Sequence, residues 1–408
     1  MKNFFQNIGP GTLVAAAFIG PGTVTVCTLA GVHFGFTLLW AMVLSIVATI
    51  VLQEMAARLG LVHGQGLAET VKHEIKSPLL KLFAILLMLS AIGIGNAAYE
   101  AGNISGGVLG LQTLFTETTW LIAGLEINLL SLAIGIIAFV ILYIGNYKFI
   151  ERCLIFLVVL MSLAFVVTAF LTQPDIGAVL KGMFIPTIPE EGWLTIIALI
   201  GTTVVPYNLF LHAALVKEKW SGVKDLKAAR TDLYVSILLG GIVSMAIIIS
   251  AAAIQSTQIT NASDLAQSIE PLFGSFSKYF LSIGLFAAGI TSAITAPLAA
   301  AYVARGCFGW EIGLKTKKFR AVWMGVLFLG IVFSSLGVQP IEIIKFAQVA
   351  NGLLLPIIAG FLLWVVNRNS VMGAYKNTSF QNALGFLILA ITIVLSGKTL
   401  FKIISTTF

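Results

Sequence analysis

The chain has 408 residues, of which 58% are hydrophobic and only 10% charged, with a formal net charge of +7. So little charge over this length excludes a soluble globular domain and reads as a polytopic membrane protein of the all-α class, with about eleven apolar segments long enough to span. The surplus of positive charge sits in alternate loops between those segments, so no nucleic-acid partner is expected.

The first apolar segment is interrupted at Gly20-Pro21-Gly22-Thr23, with apolar runs from Thr12 to Ile19 and from Val24 to Ala30 on either side. Two glycines around a proline are poor helix formers, so a helix entering the bilayer here is expected to break halfway. Only Lys2 precedes the segment, and no cleavable signal peptide is expected. A second span, roughly Leu38 to Leu59, ends in Gln53-Glu54-Met55-Ala56-Ala57-Arg58-Leu59-Gly60, followed by a Gly-rich loop from His63 to Ala68. The third span, about Leu79 to Leu111, carries Asn96, Glu100 and Asn103, whose i, i+4, i+7 spacing puts them on one helical face. A polar stripe in an apolar helix is expected to face the bundle interior or a water-filled cavity.

A fourth span covers about Leu129 to Ile144, and Tyr147 to Arg152 connects it to a fifth ending near Thr172. Between Gln173 and Gly192, Pro174, Pro186 and Pro189 predict an irregular loop. The sixth span, Leu194 to Val216, is broken in turn at Val204-Val205-Pro206-Tyr207-Asn208. A basic loop leads through Arg230-Thr231-Asp232 into a seventh span ending near Ala253, and a polar loop from Gln255 to Glu270 follows. The eighth span, about Tyr279 to Val303, holds Gly289, Thr291, Ser292, Thr295 and Pro297, mostly small or polar residues that suit close helix packing in membranes. A ninth (Ala321–Leu336), a tenth (Ile341–Val366, with Gln348 and Asn351 mid-helix) and a last (about Ala383–Leu395) complete the set.

Lysines and arginines collect in every second loop, at 58–76, 148–152, 217–230, 305–320 and 368–376, while the intervening loops hold little beyond Lys181 and Lys278. This positive-inside pattern places the N-terminus in the cytoplasm, and the inner (cytoplasmic) membrane is the expected location. Cys27, Cys153 and Cys307 have neither metal-ligand nor redox spacing and are expected to be free thiols.

Spans one to five (about 9–172) and six to ten (about 192–366) each open with a broken helix, and the span at about 383–395 is extra. An odd number of spans per half inverts the second half, which is the inverted 5+5 repeat of LeuT-type transporters, with the site at the midplane between the two breaks. The whole chain is expected to be a single transporter domain.

Several blocks together resemble one family. They are the run from Gly9-Pro10-Gly11 through Gly20-Pro21-Gly22-Thr23, the Gln53–Leu67 block, the loop around Glu151, Arg230-Thr231-Asp232, and Gly201 to His212. In order and spacing they are similar to the NRAMP family, proton-coupled importers of divalent transition metals such as manganese and iron. The resemblance covers nearly the whole chain and implies a symporter that works by alternating access. At the ligand positions the chain departs from the family pattern. The family's first-helix Asp-Pro-Gly-Asn reads Gly20-Pro21-Gly22-Thr23, and its sixth-helix Met-Pro-His reads Val205-Pro206-Tyr207. By the same resemblance, Thr202 takes the place of a residue that offers a metal its backbone carbonyl, and Gln348 that of an additional tenth-helix ligand. Glu100 falls on the glutamate of the proton route, the acidic residue before it on Ala97, and His212 on a second sixth-helix histidine.

The candidate substrate site is therefore Gly20, Gly22, Thr23, Thr202, Val205, Tyr207, Gln348 and Asn351, with Glu100 and His212 as candidates for proton coupling. A divalent ion at the midplane needs negative charge and donors to replace its water; these residues supply oxygen but neither the charge nor the soft sulfur. The backbone N–H groups at the Gly20–Thr23 break suit a carboxylate or other electron-rich group, and Tyr207 adds an aromatic face. The residues thus favour a small polar organic solute over typical manganese or iron import. A divalent cation of magnesium or manganese type on a weak, carbonyl-based site is the alternative, and a non-transporting membrane sensor is a second.

Plain structural roles compete with each assignment. Glu100, His212, Gln348 and Asn351 can bond across helices, and Thr23 can cap a half-helix. Glu54, Glu151 and Asp232 lie beside basic residues at helix ends and read as structural pairs. The spans hold no nucleophile–base pair or metal motif, so no enzymatic activity and no cofactor are expected. Lipid, the transported solute or cation, and protons are the expected partners, and the residues leave the oligomeric state open.

Overall fold

A computed structural model describes residues 19–115, 119–122, 125–145, 148–220, 222–254, 259–310 and 315–407. The Gly9-Pro10-Gly11 run and most of the apolar stretch before Gly20 lie outside the described residues, as do Tyr147 and the side chains of Lys148, Glu151 and Cys153. Helices are numbered in chain order: α1 (Pro21–Phe34), α2 (Leu39–His63), α3 (Leu67–Glu74), α4 (Pro78–Leu111), α5 (Leu129–Ile144), α6 (Lys148–Leu171) and α7 (Ile176–Phe184). The second half holds α8 (Trp193–Thr203), α9 (Pro206–Lys219), α10 (Leu226–Ala251), α11 (Ser277–Phe308), α12 (Lys317–Ser334), α13 (Pro340–Val366) and α14 (Ser379–Thr407). One antiparallel hairpin, Thr119–Ile122 with Leu125–Asn128, accompanies this all-α membrane bundle, and Asn128 then caps α5 by accepting from the Leu130 and Ser131 N–H groups at 3.0 and 3.2 Å.

Among the described residues, seven helices are long and apolar enough to cross a membrane, or eight if the bent pair α6–α7 is one span. Of the eleven expected spans, α5 is short at 16 residues, α12 opens on Lys317, Lys318 and Arg320, and α1 is the downstream half of its span. The bundle keeps the LeuT-type plan in which the first and sixth spans are interrupted. Gly20 is extended (φ −98°, ψ −177°), and α1 starts at Pro21, the helix position where a missing N–H costs nothing. The sixth span is α8 followed by α9, separated by Val204 and Val205, with Pro206 again in the first turn. The proline at each break sets where the new half-helix begins, and at the second break it also leaves a carbonyl of α8 without its donor.

The stretch 173–192 is not wholly irregular, as its prolines had suggested. Asp175 caps α7 by accepting from the Gly177 and Ala178 N–H groups at 2.8 and 3.3 Å, and the helix turns back at 120° to α6. Val179 and Gly182 are buried, Gly182 against the Phe36 carbonyl, while Ile176, Leu180 and Phe184 stay exposed. The three prolines flank the helix rather than interrupt it.

Small residues bring the helices together where the site lies. A Cβ on Gly289 of α11 would come within 2.7 Å of the Gly107 nitrogen on α4, so these two backbones pass in direct contact. Between α8 and α13 the fit is reciprocal: Gly201 lies against the Gln348 carbonyl and the Gly352 nitrogen, and Gly352 lies against the Ile197 carbonyl. Cys27 and Cys307 are buried free thiols.

Candidate functional site

The two breaks meet. Thr23, in the first turn of α1, and Thr202, in the last turn of α8, hydrogen-bond through their hydroxyls at 2.9 Å, and both are buried. Gly22 beside Thr23 is where the Gln348 side chain rests: a Cβ there would overlap its amide nitrogen and push the amide aside. The backbone carbonyl of the same Gln348 presses on Gly201, next to Thr202. Gln348 on α13 therefore touches both interrupted spans, and Gly22, Thr23, Thr202 and Gln348 form one cluster.

The electrostatics of the cluster follow from helix ends. At the start of α1 the first N–H groups have no intrahelical acceptor, which leaves a positive end; at the end of α8 the last carbonyls leave a negative one. Pro206 has no N–H to give the Thr202 carbonyl four residues earlier, so that oxygen is set apart from the ladder. The Gln348 side-chain oxygen and the Asn351 side-chain nitrogen are buried without a hydrogen-bond partner, as are the hydroxyls of Thr25 and Thr28 one turn into α1. A buried polar group left unpaired costs about 1–3 kcal/mol, so the free Gln348 oxygen beside the two breaks marks a place built to receive something polar.

Val205 and Tyr207 are fully buried at the start of α9, and the Tyr207 hydroxyl has no partner. Tyr207 packs edge-on against Tyr99 of α4, with ring centroids 5.3 Å apart. This aromatic pair ties the second break to the helix that carries Glu100. Asn208, also buried, has an unpartnered side-chain oxygen.

Glu100 is fully buried, and its Cγ fills the space over Gly330 of α12. One of its oxygens accepts a long hydrogen bond from Asn103 at 3.4 Å, and the other has no partner. Asn96, lower on the same face, instead donates to the Ala296 carbonyl of α11 at 2.9 Å. The expected polar stripe is thus split, Asn96 joining α4 to α11 and Glu100 lying under α12. His212, also fully buried, pairs Nδ1 with the Gln53 side-chain oxygen of α2 at 2.9 Å, which leaves Nε2 unpartnered. Glu100 and His212 share no hydrogen bond.

Sequence reasoning passed over the partners more than the sites. Gln53, Tyr99, Asn208, Thr25 and Thr28 were not singled out as site residues. Thr25 and Thr28 carried a usable signal, two hydroxyls at i, i+3 just past a helix break. The structural reading of Glu54 holds: Arg58 donates to it at 3.0 Å and Arg230 of α10 at 2.7 Å. Arg58 also donates to the Asn377 side chain at 2.6 Å and to the Tyr375 carbonyl. Among the described residues no three His, Cys, Asp or Glu side chains converge as a metal site would require.

Residues 11–402 match the model of the "Natural resistance-associated macrophage protein-like" (Nramp) family. The chain is 26% identical to the "Divalent metal cation transporter MntH" of Caldanaerobacter subterraneus, over 98% of this chain and 94% of that protein. It is 30% identical to the "Metal transporter Nramp1" of Populus trichocarpa, over 99% of this chain and 77% of that protein. In structure it superposes on the crystal structure of the Eremococcus coleocola manganese transporter bound to an aromatic bis-isothiourea substituted compound, with a TM-score of 0.75 at 20% identity. That likeness covers 96% of this chain and 85% of the other, and it is one of fold.

Proposed function

The chain belongs to the Nramp family, and on that premise we propose that it carries a divalent metal cation across the membrane by alternating access, through a site that binds with oxygen dipoles rather than with a carboxylate and a thioether. The observation that carries this reading is the Thr23–Thr202 hydrogen bond with Gln348 wedged beside it, which gathers oxygens from both broken spans at one point. The free Gln348 oxygen and the Thr202 carbonyl are hard donors at the negative end of α8. Without a charged ligand, a dehydrated ion would not recover its hydration energy, so the cation stays partly hydrated, in the manner of magnesium. The sulfur that would select manganese or iron over magnesium is replaced by Val205.

The relatives named above are metal-cation transporters, and they lend no support to the organic solute that the substituted ligands had favoured. One observation keeps a polar organic solute as a second reading: Tyr207, packed edge-on against Tyr99, brings a buried hydroxyl without a hydrogen-bond partner to the second break. Coupling to protons through Glu100 and His212, a cytoplasmic N-terminus and residence in the inner membrane belong to the same proposal. The test is flux into liposomes holding the full chain. Saturable Mg²⁺ or Mn²⁺ entry at concentrations well above micromolar, lost in Gln348→Ala, is the expected result. Entry of a polar metabolite with no divalent flux would replace the cation by a solute, and no flux of either would point to a sensor.

A further inference from the structure

Far from the site, α4 and α13 diverge at one end of the bundle and leave a groove of about 1000 Å³. It is open along the start of α4 and the end of α13, the end of the bundle at which the basic loops gather. Its walls are apolar: Leu80, Phe83 and Leu87 on α4 face Ile357, Phe361 and Trp364 on α13. Leu80 and Phe83 are 60% and 63% exposed within spanning helices, so whatever fills the groove reaches it from the hydrocarbon. Gly360 also lines it, and a Cβ there would meet no atom within 4 Å.

The mouth has a different chemistry. Just before α4 begins it holds His73, Glu74, Lys76 and Ser77; just after α13 ends, Arg368 and Ser370. The Arg368 guanidinium lies 4.7 Å from the Trp364 ring centroid, an arrangement that holds the cation at the level where interfacial tryptophans sit. Glu74 accepts a hydrogen bond from Ser370 at 2.7 Å. Neither Lys76 nor Arg368 takes part in an ion pair among the described residues. Two cations against one carboxylate leave a single net positive charge at the headgroup level, above an apolar slot.

We propose that this groove binds one anionic glycerophospholipid, its phosphodiester held between Lys76 and Arg368 and an acyl chain laid along Phe83, Leu87 and Phe361. Charge decides the occupant: a lipid with one negative phosphodiester matches the net charge of the mouth, and a zwitterionic headgroup would bring its own ammonium against Lys76 and Arg368. Basic pockets between spanning helices at the cytoplasmic face select anionic headgroups for the same reason.

The test is native mass spectrometry of the detergent-purified full chain with phosphatidylglycerol or phosphatidylcholine added. One phosphatidylglycerol is expected to be retained in preference to phosphatidylcholine. The double variant Lys76→Gln/Arg368→Gln should weaken its retention about 30-fold, from roughly fivefold per basic residue near the surface. Gly360→Phe fills the slot from a position with free space and should displace the lipid while the thermal unfolding midpoint stays put. Equal retention of the two lipids, or retention of phosphatidylglycerol unchanged in both variants, would overturn the proposal. So would competition by soluble glycerol phosphate as effective as by the lipid, which would make the mouth an ion site without a chain. A change in oligomeric mass in Gly360→Phe with lipid retention unchanged would instead make the groove a contact between copies of the chain.

Discussion

Thr23 and Thr202, 179 residues apart, share a hydrogen bond of 2.9 Å, and through it the two interrupted spans close on each other. Replacing Thr23 with valine leaves the Thr202 hydroxyl buried beside a methyl group, at a cost of about 1–3 kcal/mol, and Thr202→Val removes the same bond from the other side. The double variant Thr23→Val/Thr202→Val removes both partners and is expected to cost less than the two single changes added together, by about 1 kcal/mol of coupling. Thermal unfolding of the four proteins in one detergent measures this; strictly additive effects would mean the bond contributes nothing.

Thr23 was legible in the sequence because glycine and proline announce a break in an apolar run, and Thr202 only through the family resemblance, whereas the bond between them belongs to the fold. The same holds for His212. Its place in the sixth span could be read, but its partner Gln53 is 159 residues away on α2, and no local pattern links them. Helix α7 was missed for the opposite reason: the local signals were read too strongly. Pro174, Pro186 and Pro189 all lie outside Ile176–Phe184, where proline does no harm, and the cap at Asp175 was the better guide. The polar face of α4 was periodic as expected, yet Asn96 and Glu100 serve different neighbours, because α11 and α12 pack on successive turns of it.

Two glycines in the site should respond differently to the same change. At Gly201 a methyl group would overlap the backbone of Gln348 and approach that of Gly352, and backbone cannot swing aside. Gly201→Ala is therefore expected to lose about 1–3 kcal/mol of stability or fail to accumulate. At Gly22 the obstacle is the end of the Gln348 side chain, which can turn away. Gly22→Ala should fold with a near-normal melting point and still lose flux, because it displaces the amide. Equal destabilisation by the two changes would contradict this geometry.

At the far end of α2 the two arginines on Glu54 are unequal. Arg58 is 2% exposed and Arg230 37% at the side chain. Arg58→Ala takes from Glu54 its buried partner, leaving only the more exposed Arg230, and leaves the Asn377 side chain and the Tyr375 carbonyl without their donor, so it is expected to cost about 3 kcal/mol. Arg230→Ala leaves Glu54 still paired with Arg58, and its cost should stay near 1 kcal/mol. Denaturation midpoints of the two variants decide between this order and its reverse.

Glu100→Gln tests the coupling role. Glutamine keeps the shape under Gly330 and can still accept from Asn103, so folding and flux down a cation gradient are expected to persist. Uptake driven by a proton gradient alone should fall to the level of empty liposomes, since an ionisable group within a span is the natural proton carrier. Proton-driven uptake that survives the change would move the role elsewhere, with His212 the next residue to replace.

The last prediction asks whether a strong metal site can be restored on this scaffold. Gly20 is extended at φ −98° and ψ −177°, a conformation open to any residue, and it caps α1, where an acidic side chain is favoured by the N–H groups behind it. Gly20→Asp therefore adds the missing charge without backbone strain. Thr23→Asn replaces a hydroxyl with a carbonyl oxygen at the same point, at the price of the bond to Thr202. Val205→Met sets a thioether at the head of α9, beside the break and in place of a fully buried valine. The added volume at Val205 meets packed neighbours and should cost about 1–3 kcal/mol. The three changes together supply the charge, the amide oxygen and the soft donor that offset the dehydration of a transition-metal ion. Calorimetric titration with Mn²⁺ should show weak or no binding by the unchanged chain and micromolar binding by the triple variant. Micromolar binding by the unchanged chain, lost on replacing Thr23 and Gln348, would mean that dipoles alone suffice. A folded triple variant that binds no Mn²⁺ would mean that the two breaks do not face a common ion.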